Sequence, residues 1–172
     1  MPADTLKARL EAVAVRVALP APAATPGSGA EAPAPPPAPA VPVIVESARG
    51  SGPSVLDVTV PPERIVDATR ILDEAKFMLE AVGGIDWLAQ QQIEIAYDYT
   101  DVASGRRVVV RTRVPRAAPE LPTISGVYPG ANWHERETHD FFGVVFTGHP
   151  DLSPLLLPED ATFHPLRKDF AP

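Results

Sequence analysis

The stretch "IEIAYDYTDVASGRRVVVRTRV", residues 93–114, decides the fold class. Ile93, Ile95, Tyr97 and Tyr99 alternate with Glu94, Ala96, Asp98 and Thr100, and Val108, Val110, Thr112 and Val114 repeat the pattern further on. Successive side chains of an extended chain point to opposite faces, so each run is expected to be a strand with one buried face. The five residues from Asp101 to Gly105 between the runs make a hairpin turn. Upstream, "SVLDVTV" (54–60) alternates in the same way, and Pro61-Pro62 stops that strand and starts a helix. Ile65, Ala68, Leu72, Ala75, Leu79 and Val82 recur every three or four residues, a single buried helical stripe that Gly83-Gly84 would end. Strands and helix around one core give an α+β fold, a small mixed or antiparallel sheet covered by helices.

A chain of 172 residues with 45% apolar content holds one such domain plus extensions. Of its 22 prolines, nine fall between Pro20 and Pro42, in a stretch rich in alanine with Glu31 as its one charge. No periodicity and no large apolar cluster mark that segment, so residues 20–53 read as a Pro/Ala-rich disordered linker. Before it, residues 1–19 read as an amphipathic helix, with Asp4 or Thr5 as cap and Leu6, Leu10, Val13 and Val17 at helical spacing. The loose chain that follows leaves this helix free to dock away from the main domain. Residues 54–148 form the α+β domain, and residues 149–172, with Pro150, Pro154, Pro158 and Pro165, suit an extended C-terminal arm.

Composition excludes several function classes. Without cysteine, the chain carries no disulfide, no thiolate-bound zinc and no cysteine-ligated iron–sulfur cluster. A net charge of −7 disfavours nucleic acid, which needs a basic face. The basic stripe "RRVVVRTRVPR" (106–116) reads as a solvated strand face rather than a phosphate track. No apolar run reaches the length of a bilayer crossing, and "MPADTLKARLEAV" has charges where a signal peptide needs an apolar core, so the chain reads as cytosolic.

The densest chemistry is "WHERETHDFFG", residues 133–143. Asn132 and Glu135 have capping-box spacing, so a short helix should start at Trp133 and end near Phe142 with Gly143 as its C-terminal cap. A zinc-protease helix places two histidines four residues apart on one face, but His134 and His139 are five apart and diverge by about 140°. They cannot share an ion from one ordinary helix. His139 with Glu135, and Arg136 with Asp140, have the spacing of surface carboxylate–cation pairs. Ser125, in "TISGVYPG", sits in a turn and lacks the strand-to-helix elbow of a catalytic serine. Glu137 lies about 40° from both Trp133 and Phe141 on the helical wheel. If the aromatic face packs on the core, this carboxylate needs a cation, either an internal one, with Arg167 or Lys168 as candidates, or a partner's basic group.

With those residues in place, "YPGANWHERETHDFFGVVFTGHPDL" (128–152), "LLLPED" and "HPLRKDF" resemble the signature region of the hydrophilic C subunit of NADH-quinone oxidoreductase, respiratory complex I. The resemblance rests on Ala131, Asn132, Trp133, Glu135, Arg136, Glu137, Asp140, Gly143, Phe146, Gly148, His149, Pro150, Asp151 and Leu152, then on His164 to Asp169. It extends upstream to about Val55 and leaves the N-terminal helix and linker outside. It also amends the periodicity. In the family the stretch from Phe77 to Trp87 passes into a strand before Asp86, so the helix should end near Lys76. His139, Ser153-Pro154 and Ala161 depart from the pattern, and His134 with His139 looks more like the related subunits of energy-converting, membrane-bound nickel-iron hydrogenases and formate hydrogenlyase.

What the resemblance implies is a cofactor-free scaffold subunit in the peripheral arm of a complex on the cytoplasmic face of the inner or plasma membrane. Its partners are a large quinone-site subunit and a cluster-binding small subunit, with membrane contact only through the complex. Iron–sulfur clusters, flavin and quinone, or nickel-iron in the hydrogenase branch, belong to those partners. No catalytic, cofactor or metal residue is expected in this chain. The assembly residues are Trp133, Glu135, Arg136, Glu137, Asp140, Gly143, His149, Pro150, Leu152, Arg167 and Lys168. Reading the residues without the resemblance leaves a stand-alone binding module, or a metal hydrolase, as the alternative.

Overall fold

The computed structural model describes residues 2–14, 44–47 and 55–171. A five-stranded sheet lies at its centre, built from Ile44–Ser47 (β1), Val55–Thr59 (β2), Met78–Trp87 (β3), Gln92–Asp101 (β4) and Arg106–Pro115 (β5) in the spatial order β1-β2-β5-β4-β3. β2 runs parallel to β5 and all other neighbours are antiparallel, so the sheet is mixed. Among the described residues three α-helices accompany it: Ala3–Val13 (α1), Ile65–Glu74 (α2) and Ala131–Phe142 (α3). Glu120–Pro122 (β6) and Val145–Thr147 (β7) form a separate parallel pair that flanks α3 in sequence. The α+β class read from the alternation is the observed one.

The β4–β5 hairpin forms in the expected register, with Ile93 opposite Val114, Tyr97 opposite Val110 and Tyr99 opposite Val108. Its turn closes because the Gly105 amide donates to the Asp101 carbonyl at 2.7 Å with Gly105 at φ 70°, and the Asp101 carboxylate accepts the Ala103 amide and the Ser104 hydroxyl. Every member of the inward stripe, from Ile93 to Tyr99 and from Val108 to Val114, is buried. On the outer face the arginines pair with carboxylates. Arg107 meets Glu80 and Asp98, Arg111 meets Asp57 and Glu94, and Arg113 meets Glu94 while lying over the Trp87 ring. The basic stripe is therefore neutralised within the sheet and offers no phosphate track.

Between β2 and β3 the helical stripe breaks earlier than the periodicity of 65–82 suggests. α2 stops at Glu74 because Lys76 takes a left-handed conformation (φ 66°) and the Phe77 amide reaches back to the Leu72 carbonyl. This is a Schellman-type end with lysine in the position glycine usually fills. Leu79 and Val82 then lie on β3, which pairs with β4 from Met78 to Trp87 with one register shift between Leu79 and Ala81, so sheet pairing overrides helical spacing. The family-based placement of the helix end near Lys76 agrees with the structure. Gly84 terminates no helix; a Cβ there would meet the Phe142 ring at 2.4 Å, so its bare backbone is what lets α3 lie against β3.

Two readings of the N-terminal third change. α1 does not stand away from the domain: Leu6, Leu10 and Val13 are buried in the common core, and Arg9 pairs with Glu74 of α2 at 2.6 Å. Its observed extent is shorter than 1–19, and Val17 lies outside the described residues. Within the segment read as linker, Ile44–Ser47 pairs antiparallel with β2, Ile44 opposite Val58. β2 would otherwise present an open edge, and added backbone pairing satisfies its amides. The rest of 20–53 lies outside the described residues.

Candidate functional site

α3 starts at Ala131, seven residues after the buried Ile124, with Gly130 as its N-cap residue and no side-chain cap. Asn132 is inside the helix, and the expected capping box does not form. The inward stripe is Ala131, Glu135, Thr138 and Phe142, spaced by four, three and four residues. That stripe satisfies helical periodicity as well as the aromatic one does, but two of its four positions are polar, which hid it from a reading by hydrophobicity. The rotation inverts the expected roles. Trp133 is 61% exposed, Phe141 is half-buried, and Glu137 faces solvent instead of a buried counter-ion. Neither Arg167 nor Lys168 pairs with it: Arg167 Nε donates to the Phe142 carbonyl, and the Lys168 amide donates to Asp86.

The buried carboxylates of α3 are Glu135 and Asp140, and neither makes the surface i,i+4 pair expected of it. Glu135 is fully buried; it accepts the Ile124 amide at 2.8 Å and the Thr123 hydroxyl, with His149 Nε2 3.7 Å away. Burial pushes its carboxyl up to about 7, against the opposing pull of Thr123 and Ile124. Asp140 accepts three successive amides of the C-terminal arm on one oxygen: Leu155 at 2.9 Å, Leu156 at 2.7 Å and Leu157 at 3.1 Å. Burial pushes the Asp140 carboxyl up, but those three N–H donors outweigh it and hold the group below the usual carboxylate value.

The arm is fastened at further points. Arg136 spans to the Ser153 and Pro154 carbonyls, each at 3.0 Å, with its guanidinium over the Trp133 ring. Gly143 ends α3 at φ 72°, and His164 and Arg167 press on the space where a side chain would sit. His164 Nδ1 bonds the Asp140 carbonyl at 2.9 Å. Asp86, buried on β3, receives Arg116 Nε at 2.9 Å and the Lys168 amide at 2.8 Å, and Arg116 also meets Asp169. Burial raises the Asp86 carboxyl, yet Arg116 and Lys168 bring it below its usual value. Asp86, Arg116 and Thr123 were not foreseen as contributors. Each acts across a long sequence separation that local spacing does not report.

Held in this way by carbonyls, amides and a few polar side chains, the arm turns its large apolar groups outward. Leu156 is 60% exposed, Leu166 53%, Phe163 44% and Phe170 37%, and the rings of Phe163 and Phe170 stack at 5.5 Å. Leu152 packs partly on the core, whereas Pro150 is exposed. His134 and His139 point apart: His134 lines a cleft with Lys76 and Met78, and His139 Nδ1 bonds the Val144 carbonyl. Among the described residues no group of three or more His, Asp or Glu side chains is placed to hold a metal ion, and no helix is long and apolar enough to cross a membrane.

Comparison with known proteins bears on the whole region from β2 onward. The sequence model of the family described as "Respiratory-chain NADH dehydrogenase, 30 Kd subunit" matches residues 58–172. The C subunit of NADH-quinone oxidoreductase from Roseiflexus sp. (strain RS-1) is 44% identical over 119 residues, covering 66% of this chain and 68% of the relative. The C subunit of the same enzyme from Salinispora tropica is 37% identical over 121 residues, covering 67% of this chain and 49% of the relative. Among solved structures, a chain of the membrane-bound sulfane sulfur reductase, an archaeal respiratory membrane complex, superposes with a TM-score of 0.66 at 32% identity, covering 76% of this chain and 78% of that one. A trypsin-resistant fragment of Nqo5 superposes with a TM-score of 0.54 at 32% identity, covering 63% of this chain and 89% of the fragment.

Proposed function

This chain belongs to the family of the respiratory-chain NADH dehydrogenase 30 Kd subunit, and from that premise we propose that it is a cofactor-free scaffold subunit in the peripheral arm of a complex I-type NADH-quinone oxidoreductase. In this reading it docks on the large quinone-site subunit beside a cluster-binding small subunit, on the cytoplasmic face of the membrane. It supports electron transfer coupled to proton translocation without touching the electrons. The supporting observation is the inverted arm: residues 149–171 are pinned to α3 and β3 by backbone and polar contacts, while Leu156, Phe163, Leu166 and Phe170 face outward. An arm folded for its own sake would bury those side chains; one folded to meet another surface presents them. Arg136, Asp140, Gly143 and Arg167 set the arm's course, and Trp133 and Glu137 add an exposed aromatic and an exposed charge beside it.

A second reading, the equivalent subunit of a membrane-bound nickel-iron hydrogenase or formate hydrogenlyase, draws support from the likeness to the sulfane sulfur reductase chain. One experiment separates the two and tests the docking. Purifying the complex in mild detergent and identifying its subunits reads out the branch. In the same preparation Leu166→Asp and Phe170→Asp should reduce recovery of the large subunit severalfold and leave the melting temperature of the isolated chain unchanged. Undiminished recovery with both variants would remove the arm from the interface.

A further inference from the structure

Glu135 and His149 bring two titratable side chains together inside the core, both wholly shielded from solvent. The His149 Nδ1 accepts the Asp151 amide at 3.1 Å and so carries no proton, which places the ring N–H on Nε2, 3.7 Å from Glu135 Oε2. Among the described residues Nε2 has no hydrogen-bond partner, and its approach to Glu135 Oε2 is an electrostatic contact rather than a hydrogen bond. On its opposite side Oε2 meets the Thr123 hydroxyl, and Thr123 Oγ1 also lies 2.8 Å from Ser125 Oγ and accepts the Ser125 amide at 3.1 Å. The Thr123 hydroxyl has one proton and two neighbours for it. Its direction is therefore tied to the charge on Glu135. Ser125 is half-buried in the turn next to the exposed Gly126, so the series Glu135, Thr123, Ser125 runs from core to surface.

We propose that Glu135 is a buried proton-binding site, reached from the surface turn through the hydroxyls of Ser125 and Thr123, whose occupancy switches the charge that faces His149 at the root of the C-terminal arm. When Glu135 is ionised, Ser125 donates to Thr123 and Thr123 donates to Oε2. A proton arriving at Ser125 Oγ displaces the Ser125 proton to Thr123 and the Thr123 proton to Oε2. Glu135 then donates to Thr123, Thr123 donates to Ser125, and one proton has entered with no other change of charge. The His149 ring then faces a neutral acid instead of a carboxylate across the 3.7 Å contact, and that electrostatic attraction is lost. The titratable groups facing Glu135 from the sheet are Tyr97 and Tyr99 of β4, both with hydroxyls pushed far above the usual range by burial, so neither exchanges charge with it. On the arm side Asp151 lies near His149. Neither lysine nor arginine is among the groups acting on Glu135, and burial alone carries its titration toward neutrality.

The test is a carbon-13 NMR titration of the full chain with labelled glutamate and histidine, assigned through bonds so that no core substitution is needed. The Glu135 Cδ resonance should titrate near neutral pH, and the His149 ring resonances should move with the same midpoint. Thr123→Val, which removes a donor to the ionised form, should raise that midpoint by about one pH unit, and Thr123→Ser should restore it. Ser125→Ala should broaden or split the averaged Cδ signal by slowing proton entry. A Cδ midpoint in the ordinary carboxylate range, or His149 resonances that ignore it, overturns the site. An unchanged line shape in Ser125→Ala overturns the hydroxyl path.

Discussion

Removing Asp140 should release the C-terminal arm without unfolding the sheet. One carboxylate oxygen accepts the Leu155, Leu156 and Leu157 amides, and Asp140 itself is 4% exposed. A hydrogen bond to a charged group contributes about 1.5–3 kcal/mol net, and three donors on one oxygen share a single charge. Water can take up part of what is lost, because Leu156 is exposed and Leu155 and Leu157 are half-buried. The expected cost of Asp140→Ala is therefore about 3 kcal/mol, well below three independent bonds. It should appear as local opening, since the arm lacks regular structure and contributes little to the buried core. Native-state hydrogen exchange reads this directly: the three amides should exchange about a hundredfold faster in Asp140→Ala, while amides of β4 and β5 keep their protection. Lowering the pH should act in the same direction. A carboxylate held below its unfolded value contributes stability that is present above that value and lost as pH falls through the folded one, so the arm should loosen below about pH 4. Unchanged exchange at Leu155 to Leu157, or an equal loss of protection in β4, would refute this reasoning.

Two further outcomes follow from the core. Glu135 has the opposite sign: its folded carboxyl titrates near 7 against an ordinary 4.5, so the folded state binds the extra proton and stability should fall by about 3 kcal/mol as pH rises across that interval. Urea denaturation from pH 4.5 to 7.5 should show that slope in the parent and lose it in Glu135→Gln; a flat parent profile would contradict the burial argument. Gly84→Ala places a methyl group 2.4 Å from the Phe142 ring, and the displaced ring should lower stability by about 1–3 kcal/mol in thermal melts, with Gly83→Ala, which meets nothing, as the control.

Local sequence signals were enough to establish the α+β class, the β4–β5 hairpin, and a short helix near 133–142 with its glycine end, although the helix starts two residues earlier than expected and without the capping box. Those features depend on neighbours a few residues apart, whose φ/ψ preferences and face alternation are written locally. The helix end at Lys76 was legible only through the family pattern, since nothing in "DEAKFML" marks a left-handed lysine. Tertiary structure alone decided the rotation of α3. Ala131, Glu135, Thr138 and Phe142 compete with Trp133, Glu137 and Phe141 for the inward face, and hydropathy favours the second set. The first set wins because the Ile124 amide and the Thr123 hydroxyl wait inside for a carboxylate, and Gly84 leaves a bare strand for the Phe142 ring. The same holds for the arm. Its partners, Asp86 on β3, Arg116 after β5 and Asp140 on α3, come together only when the sheet has formed, and a charge's burial and its donors are properties of that assembled space.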